Sequence, residues 1–208
     1  HLDDGERSIR SALEMSYRGL SQDQARMLRL LALTPGIETN THTAAALAGQ
    51  DPRSAQASLE GLARASLVEQ SRWRTWRMHG LVRAYAAYVS AADPAHGEEA
   101  EAARGRLLAF YCDHVEAADR RLRWLPGEPK PQRFATRAEA LEWLDTERSG
   151  LVDAAQWATV ERHAAGVVRL ASHLGSYLTW RRYFDDWAAV SSAALEAARS
   201  MGDRSAEA

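Results

Sequence analysis

The stretch DPRSAQASLEGLARASLVEQSRWRTWRMH, residues 51–79, decides the fold, because it joins a helix signal to two strand signals. Asp51 and Pro52 are typical of a helix start: a carboxylate caps free N–H groups, and proline suits the first helical position. Apolar residues then recur at helical spacing and predict the buried face of this helix. They are Ala55, Leu59, Leu62 and Ala63.

Two short strands are expected after that helix. Segments 66–70 and 75–79 are rich in strand-forming side chains, and the polar residues between them predict a turn. Alternation along the second strand places Trp76 and Met78 on one face and His79 on the other. A helix followed by such a hairpin is typical of a winged helix, a variant of the helix-turn-helix in which the hairpin is the wing.

The residues before this stretch predict the first two helices of the domain. Segment 6–20 carries an apolar stripe at helical spacing. Ser21 and Gln24 have the spacing of a capping box, which marks the start of the next helix. Pro35 and Gly36 are expected to end that helix.

Two further helices complete the domain. An alanine-rich helix is predicted over residues 42–49, with Thr41 or Thr43 as its cap, and another over residues 81–90. The order of elements predicts a winged-helix domain, with a preceding helix, over residues 1–91.

Every pattern after that domain is helical. Residues 92–99 are interpreted as a short linker, and an amphipathic helix is expected over residues 101–125. Thr136 and Glu139 have the spacing of a second capping box, after a loop that contains proline and glycine. We therefore predict a second, helical domain over residues 97–208.

The last two predicted helices, residues 161–179 and 184–200, resemble a tetratricopeptide hairpin. The resemblance rests on Leu174, Gly175, Tyr177, Ala194 and Ala197. Most tryptophans are expected in the core, among them Trp143, Trp157, Trp180 and Trp187. The predicted fold class is mainly α: a winged helix with a short β-hairpin, followed by a tetratricopeptide-like domain. Because a lone repeat cannot bury both faces, a longer array is expected to follow.

The bulk composition excludes several classes of protein. With 208 residues, 46% of them hydrophobic, the chain can bury a core and is not disordered. A net charge of −2 argues against a general polyanion binder. Cys112 is the only cysteine, so a cytoplasmic location is expected. No signal peptide or membrane-length apolar run occurs, and the missing first Met predicts a fragment of a larger protein.

No set of catalytic residues stands out. Lys130, the only lysine, lies in a loop, so the chain lacks the Gly-Lys-Ser/Thr of a phosphate-binding loop. His114 stands near Cys112 without further ligands at zinc spacing, and His163 and His173 are expected to be packing or surface residues. Neither a Ser-His-Asp order nor a pair of catalytic carboxylates occurs. We predict that the chain is not an enzyme and has no catalytic residues and no metal site.

The order of these elements resembles the winged-helix entry of STAND (NB-ARC) signalling ATPases, as in plant immune receptors and apoptosome proteins. The similar segments are SIRSALEMSYRGLSQDQARMLRLLALTPG (residues 8–36), RMHGLVRAYA (77–86) and FATRAEALEWLDTERSGLVDAA (134–155). The segments resemble those of actinobacterial AfsR/SARP-type transcriptional regulators in particular. Residues 77–86 match their pattern R-[FM]-H-D-L-[LV]-R-x-Y-A at all but one position.

The resemblance implies a regulatory role. In that family the winged helix folds onto a nucleotide-binding domain and locks its ADP state, and the histidine of a Met-His-Asp motif bonds the ADP phosphate. The corresponding residues here are Met78, His79 and Gly80, with glycine where the family has aspartate, which implies a looser lock. ADP or ATP would be bound by a missing upstream NB-ARC domain, while this fragment holds no cofactor. The helical repeats would sense a protein or small-molecule effector, DNA would be contacted through the parent protein, and no membrane is involved.

The alternative function is DNA binding by the winged helix itself. The predicted recognition helix begins at Asp51, and basic or aromatic side chains on it and on the wing are the candidate contacts to DNA or to a partner protein. They are Arg53, Arg64, Arg72, Trp73 and Arg74. Gln56, Glu60 and Arg77 lie on the same two elements. The net charge of the chain is close to zero, which weakens the interpretation as a DNA-binding module.

Overall fold

The computed structural model describes residues 2–34, 38–72, 74–159 and 161–202. Within them the chain is mainly α-helical with one small sheet, so the predicted fold class is confirmed. Close packing divides the chain into two compact units, residues 1–107 and 108–208, and the division falls inside a helix. The domain boundary expected between residues 91 and 97 stays a prediction.

Two helices open the first unit. Helix α1 spans Leu2–Arg18 and α2 spans Gln22–Leu31. The predicted capping box of α2 is confirmed: the Ser21 hydroxyl accepts from Gln24 N, and the Gln24 side chain accepts from Ser21 N. Pro35 and Gly36, the expected stop, lie outside the described residues.

Helices α3 (Thr41–Ala48) and α4 (Pro52–Arg64) follow. Asp51 caps α4 with Pro52 at the first helical position, as predicted. The expected cap of α3 was wrong. Asn40 caps it, with its side-chain oxygen accepting from Thr43 N at 2.8 Å.

The sheet has one strand more than predicted. Strand β1 (Glu38–Asn40) precedes α3, and β2 (Glu69–Arg72) and β3 (Thr75–Arg77) form the expected hairpin. Both outer strands pair antiparallel with the central β3, which places Thr39 opposite Trp76. Three residues are too few to show strand alternation, so β1 leaves no signal in the sequence.

Strand β2 begins later than its predicted start at residue 66. Ser66 adopts the left-handed conformation (φ 59°), and Leu67 N donates to Leu62 O, which ends α4. Leu67 and Val68 are buried apolar residues of this turn. Because they are apolar like the residues of a strand, the predicted start of β2 was placed too early in the sequence.

Helix α5 (Gly80–Ala91) is followed almost at once by α6 (Pro94–Arg123). The linker predicted over residues 92–99 was therefore wrong. The Asp93 carboxylate accepts from Ala95 N at 2.9 Å, so an Asp-Pro pair starts α6 as it starts α4.

Helices α7 (Arg137–Ala155), α8 (Glu161–Trp180) and α9 (Phe184–Met201) belong to the second unit. A short 3₁₀ helix, Gln156–Thr159, lies between the first two. These bounds confirm the two helices predicted over 161–179 and 184–200; their assignment as a tetratricopeptide hairpin stays a prediction.

The second capping box forms only in part. Thr136 caps α7 by accepting from Glu139 N, but the Glu139 side chain accepts from Ala135 N instead of Thr136 N. The core position expected for Trp180 and Trp187 was also wrong, because these side chains are 63% and 45% exposed. They lie beside the turn between α8 and α9. The apolar residues keep their helical spacing there, but no described element covers the two side chains.

Candidate functional site

The segment around His79 has the alternation that the sequence predicts. Trp76 and Met78 are each only 3% exposed. Arg77 and His79 are exposed on the other side. The Trp76 indole N–H donates to the Thr41 hydroxyl at 3.1 Å, which fixes the ring against α3. His79 therefore lies just after the end of an anchored strand.

His79 is the N-cap of α5. Its backbone is extended (φ −65°, ψ 146°), and its Nδ1 accepts from Leu81 N at 3.3 Å. An imidazole nitrogen that accepts carries no hydrogen, so in the neutral ring the proton lies on Nε2. The cap of α5 is therefore provided by the histidine, next to a glycine that has no side chain to supply one.

Gly80 is the first residue of α5 and has free space around it. A Cβ at this position would meet no atom within 4 Å. Its φ lies outside the left-handed region. An aspartate would therefore fit here without strain, at a helix end where negative charge is favourable.

Arg83 is a site residue that the sequence reasoning did not single out. Its guanidinium donates to the carbonyl oxygens of Leu31, Ala32 and Thr34 at the end of α2. Partial burial lowers the pKa of Arg83 through desolvation. This arginine ties α5, and with it the His79 backbone, to the C-terminus of α2. The signal in the sequence is that Arg83 is the single charged residue of α5.

The candidate DNA or partner contacts are distributed over two elements. Arg53 and Arg64 lie at opposite ends of α4, and Arg72 and Arg74 flank the tip of the hairpin, all of them exposed. Trp73 lies outside the described residues. Arg74 adopts φ 59°, and its carbonyl oxygen accepts from Thr41 N at 3.0 Å.

Two other polar residues of this surface are already engaged. Arg77 donates to the carboxylates of Glu38 and Glu69 at 2.7 and 3.4 Å. The hydrogen bond from Arg77 lowers the pKa of Glu38. Gln56 donates to Glu60 at 2.8 Å. Carboxylates therefore alternate with the arginines on this face.

The other histidines and Cys112 have structural surroundings. His163 is buried, and Nδ1 of His173 lies within hydrogen-bond distance of the Asp119 carboxylate, at 3.3 Å. Cys112 is buried and donates to Gly166 O at 3.2 Å. Among the residues that the structure describes, no group of three or more His, Cys, Asp or Glu side chains is placed to hold a metal ion. None of the described helices is long and apolar enough to cross a membrane.

Comparison with known proteins gives two relatives. No family model and no solved structure matches the chain. It is 33% identical to the regulatory protein AfsR of Streptomyces griseus, covering all of this chain and 22% of that protein. It is 31% identical to AfsR of Streptomyces coelicolor, covering 81% of this chain and 18% of that protein. The chain thus spans about a fifth of the length of the curated relatives it matches. Over its full length the chain is similar to one segment of the Streptomyces griseus protein.

Proposed function

We propose that this chain is a non-catalytic regulatory segment of an AfsR-like transcriptional regulator with a nucleotide switch. In this proposal the winged helix holds an NB-ARC domain in its ADP-bound form, and the helical unit senses an effector. The chain is similar to a segment of regulatory proteins about five times as long, which supports its role as one part of a larger regulator. We propose that the longer regulator contains the nucleotide-binding domain. In this proposal that domain binds ADP or ATP, and the whole protein contacts DNA.

The arrangement of His79 is the observation that carries this function. Because Nδ1 accepts from Leu81 N, the Nε2–H group is the donor that an incoming phosphate oxygen would meet. The free N–H groups and the positive dipole end of α5 lie at the same point and favour an anion. An exposed imidazole donor beside a helix N-terminus fits a phosphate.

The outer face of α5 supports docking of a second domain next to His79. Its exposed residues are Gly80, Leu81, Ala84, Ala87, Tyr88 and Ala91. Leu81 is 53% and Tyr88 58% exposed, while Arg83 is directed to α2. The Arg10 guanidinium lies over the Tyr88 ring at 4.3 Å, and the other apolar residues of this face are typical of a surface that another domain covers.

ADP release from the longer regulator tests this function. His79→Ala removes one hydrogen bond to a charged phosphate and is expected to accelerate ADP release by about 10- to 100-fold. His42→Ala, at an exposed histidine of α3, is the matched control and should leave the rate unchanged. Equal release rates for wild type and His79→Ala would contradict the proposal.

DNA binding by the winged helix is the alternative, favoured by the exposed arginines of α4 and the hairpin. The engagement of Arg77 and Gln56 with carboxylates weakens it, because fewer side chains are left for phosphate contacts. A gel shift with random duplex DNA at low salt separates the two functions. Salt-dependent binding that Arg72→Glu abolishes would favour DNA over the nucleotide switch.

A further inference from the structure

A polar cleft opens on the helical unit. The second half of α6, the loop before α7 and Arg169 of α8 form its walls, and its volume is about 970 Å³. That volume lies within the range of ligand-binding sites. The walls are polar and the cleft is open, whereas small-molecule pockets are enclosed and mostly apolar. Its shape and chemistry therefore suit an extended peptide.

Three of the four acidic residues that line the cleft pair with arginines, and the fourth, Glu128, accepts from Leu125 N at 3.2 Å. Arg169 donates to Asp113 at 2.9 Å and to Glu116 at 2.6 Å, and its hydrogen bond lowers the pKa of Glu116. Asp119 pairs with Arg123 at 2.8 Å and lies within hydrogen-bond distance of a histidine of α8. Because arginines compensate the charges of Asp113, Glu116 and Asp119, these three acids do not exclude an acidic ligand.

Two cations of the same cleft have no acidic partner. In the part of the chain that the structure describes, no carboxylate pairs with Lys130 or Arg133. Arg133 instead donates to Nε2 of His114 at 2.6 Å, while Nδ1 of that ring lies 2.7 Å from Phe110 O. An imidazole carries no negative charge in its neutral or its protonated form. The charge of Arg133 is therefore not compensated by the histidine.

The loop that carries the two cations is held in place by arginines. Arg121 is 2% exposed and donates to Pro131 O at 2.7 Å, between Lys130 and Arg133 in the sequence. Arg137 donates to Trp124 O at 2.8 Å at the start of the loop. A wall that is ordered before binding lowers the entropy cost of association.

Trp124 adds an apolar surface to the cleft. Its indole N–H donates to Glu128 O at 3.1 Å, which orients the ring at the edge of the loop. An aromatic ring next to unpaired cations accommodates an apolar side chain flanked by carboxylates.

We propose that this cleft binds an acidic peptide segment of a partner protein. Carboxylates of the peptide pair with Lys130 and Arg133, and one aromatic side chain of the peptide packs on Trp124. The partner is an effector of the regulator only if the proposed function holds; binding of the peptide itself is independent of it.

Fluorescence anisotropy with the purified 208-residue chain tests the inference. The probe is a fluorescein-labelled Glu-Glu-Phe-Glu-Glu peptide at 50 mM salt, compared with Gln-Gln-Phe-Gln-Gln. Saturable binding of the acidic peptide is expected, and the glutamine peptide should bind about 2- to 30-fold more weakly, the effect of losing two exposed ion pairs.

Variants locate the binding site. Lys130→Glu combined with Arg133→Glu should weaken binding of the acidic peptide by about tenfold or more. Arg199→Glu, at an exposed arginine of α9 outside the cleft, is the matched control and should have no effect. Trp124→Ala should reduce the affinity for the phenylalanine peptide but not for its alanine counterpart. Circular dichroism confirms that each variant is folded.

Three results would overturn the inference. They are an absence of saturable binding, equal affinity of the double variant and the wild type, and displacement of the peptide by equimolar inorganic phosphate, which would assign the two cations to a small anion. His79→Ala should leave peptide binding unchanged. A failed ADP experiment therefore rejects the switch without rejecting the cleft, and the reverse also holds.

Discussion

The two compact units differ in the polar groups that they bury. Among the described residues of the first unit, every buried polar side chain is a hydroxyl. These are Thr34, Thr39, Thr41, Thr43 and Ser58. In the described part of the second unit, every buried polar side chain is ionisable. These are Asp119, Arg121, Glu147 and His163.

The difference follows from where each unit finds hydrogen-bond partners. In the winged helix, the hydroxyls bond the backbone, one another or neutral side chains, as Thr34 bonds Leu31 O and Thr39 and as Thr41 bonds Gln56. In the helical unit, long-range side-chain pairs bridge the helices, as Tyr111 donates to Glu147 at 3.2 Å. Buried neutral groups tolerate changes of pH, whereas buried ionisable groups depend on their partners. The helical unit should therefore be more sensitive to single substitutions and to pH.

Thiol labelling gives the largest expected effect. Burial raises the pKa of the Cys112 thiol to about 11. An unfolded cysteine ionises near pH 8.5, so at pH 8 the reactive thiolate should be on the order of 100-fold scarcer in the folded chain. Labelling by a disulfide reagent should be slower by at least that factor than in urea. An exposed reference, Ala87→Cys in a Cys112→Ser background, should react at the unfolded rate.

The sign of the pH dependence follows from the same shift. Between about pH 8.5 and 11 the unfolded thiol loses its proton while the folded thiol keeps it. The unfolded state then binds fewer protons, so this group lowers the free energy of unfolding as the pH rises. Rapid labelling of Cys112 without denaturant would contradict the buried environment described for the helical unit.

Gly150→Ala tests the buried pair of the helical unit. A Cβ at this position would lie 2.5 Å from the Tyr111 hydroxyl oxygen. The ring must then move from Glu147, and we expect a loss of about 1–3 kcal/mol in the free energy of unfolding. Urea denaturation measures it. Combination with Tyr111→Phe should reduce the penalty of the alanine, because the clashing oxygen is gone.

The matched control is Gly97→Ala in α6 of the first unit. A Cβ there meets no atom within 4 Å. The alanine should stabilise the helix by about 0.5–1 kcal/mol. Equal effects of the two substitutions would remove the contrast between the units.

Arg83→Met tests the long-range polar tie of the winged helix. The substitution keeps the apolar stem but leaves the carbonyl oxygens of Leu31, Ala32 and Thr34 without this donor. We expect a loss of about 1–2 kcal/mol in urea denaturation. Arg83→Lys keeps one donor group and should lose less. A methionine variant as stable as the wild type would show that water replaces the arginine.

Gly80→Asp should give the smallest effect and the opposite sign. The helix N-terminus favours a negative charge, but His79 already caps it, so the gain should be about 1 kcal/mol or less. A small rise in the melting temperature measures it. Gly80→Asn, similar in shape without the charge, should gain less. A fall in the melting temperature would contradict the open space around Gly80.

The sequence by itself determined the elements whose signals lie within a few residues. Ser21 and Gln24 form the predicted capping box, and Asp51 with Pro52 starts α4 as expected. The helical spacing of apolar residues also established the mainly α class, and alternation established the short β-hairpin. These features depend on neighbours within about one helical turn or strand, so they can be recognised without the rest of the chain.

Only the tertiary structure decided which residues meet across long separations. Strand β1 forms because β3 lies beside it, and Arg83 finds carbonyl oxygens about 50 residues earlier. The exposure of Trp180 depends on whether another element covers α8, and a helical pattern contains no such information. His79 combines both levels: alternation predicted its outward side, and the fold made it the cap of α5. The physical reason is that a side chain's partners are set by packing, whereas its local conformation is set by its neighbours in sequence.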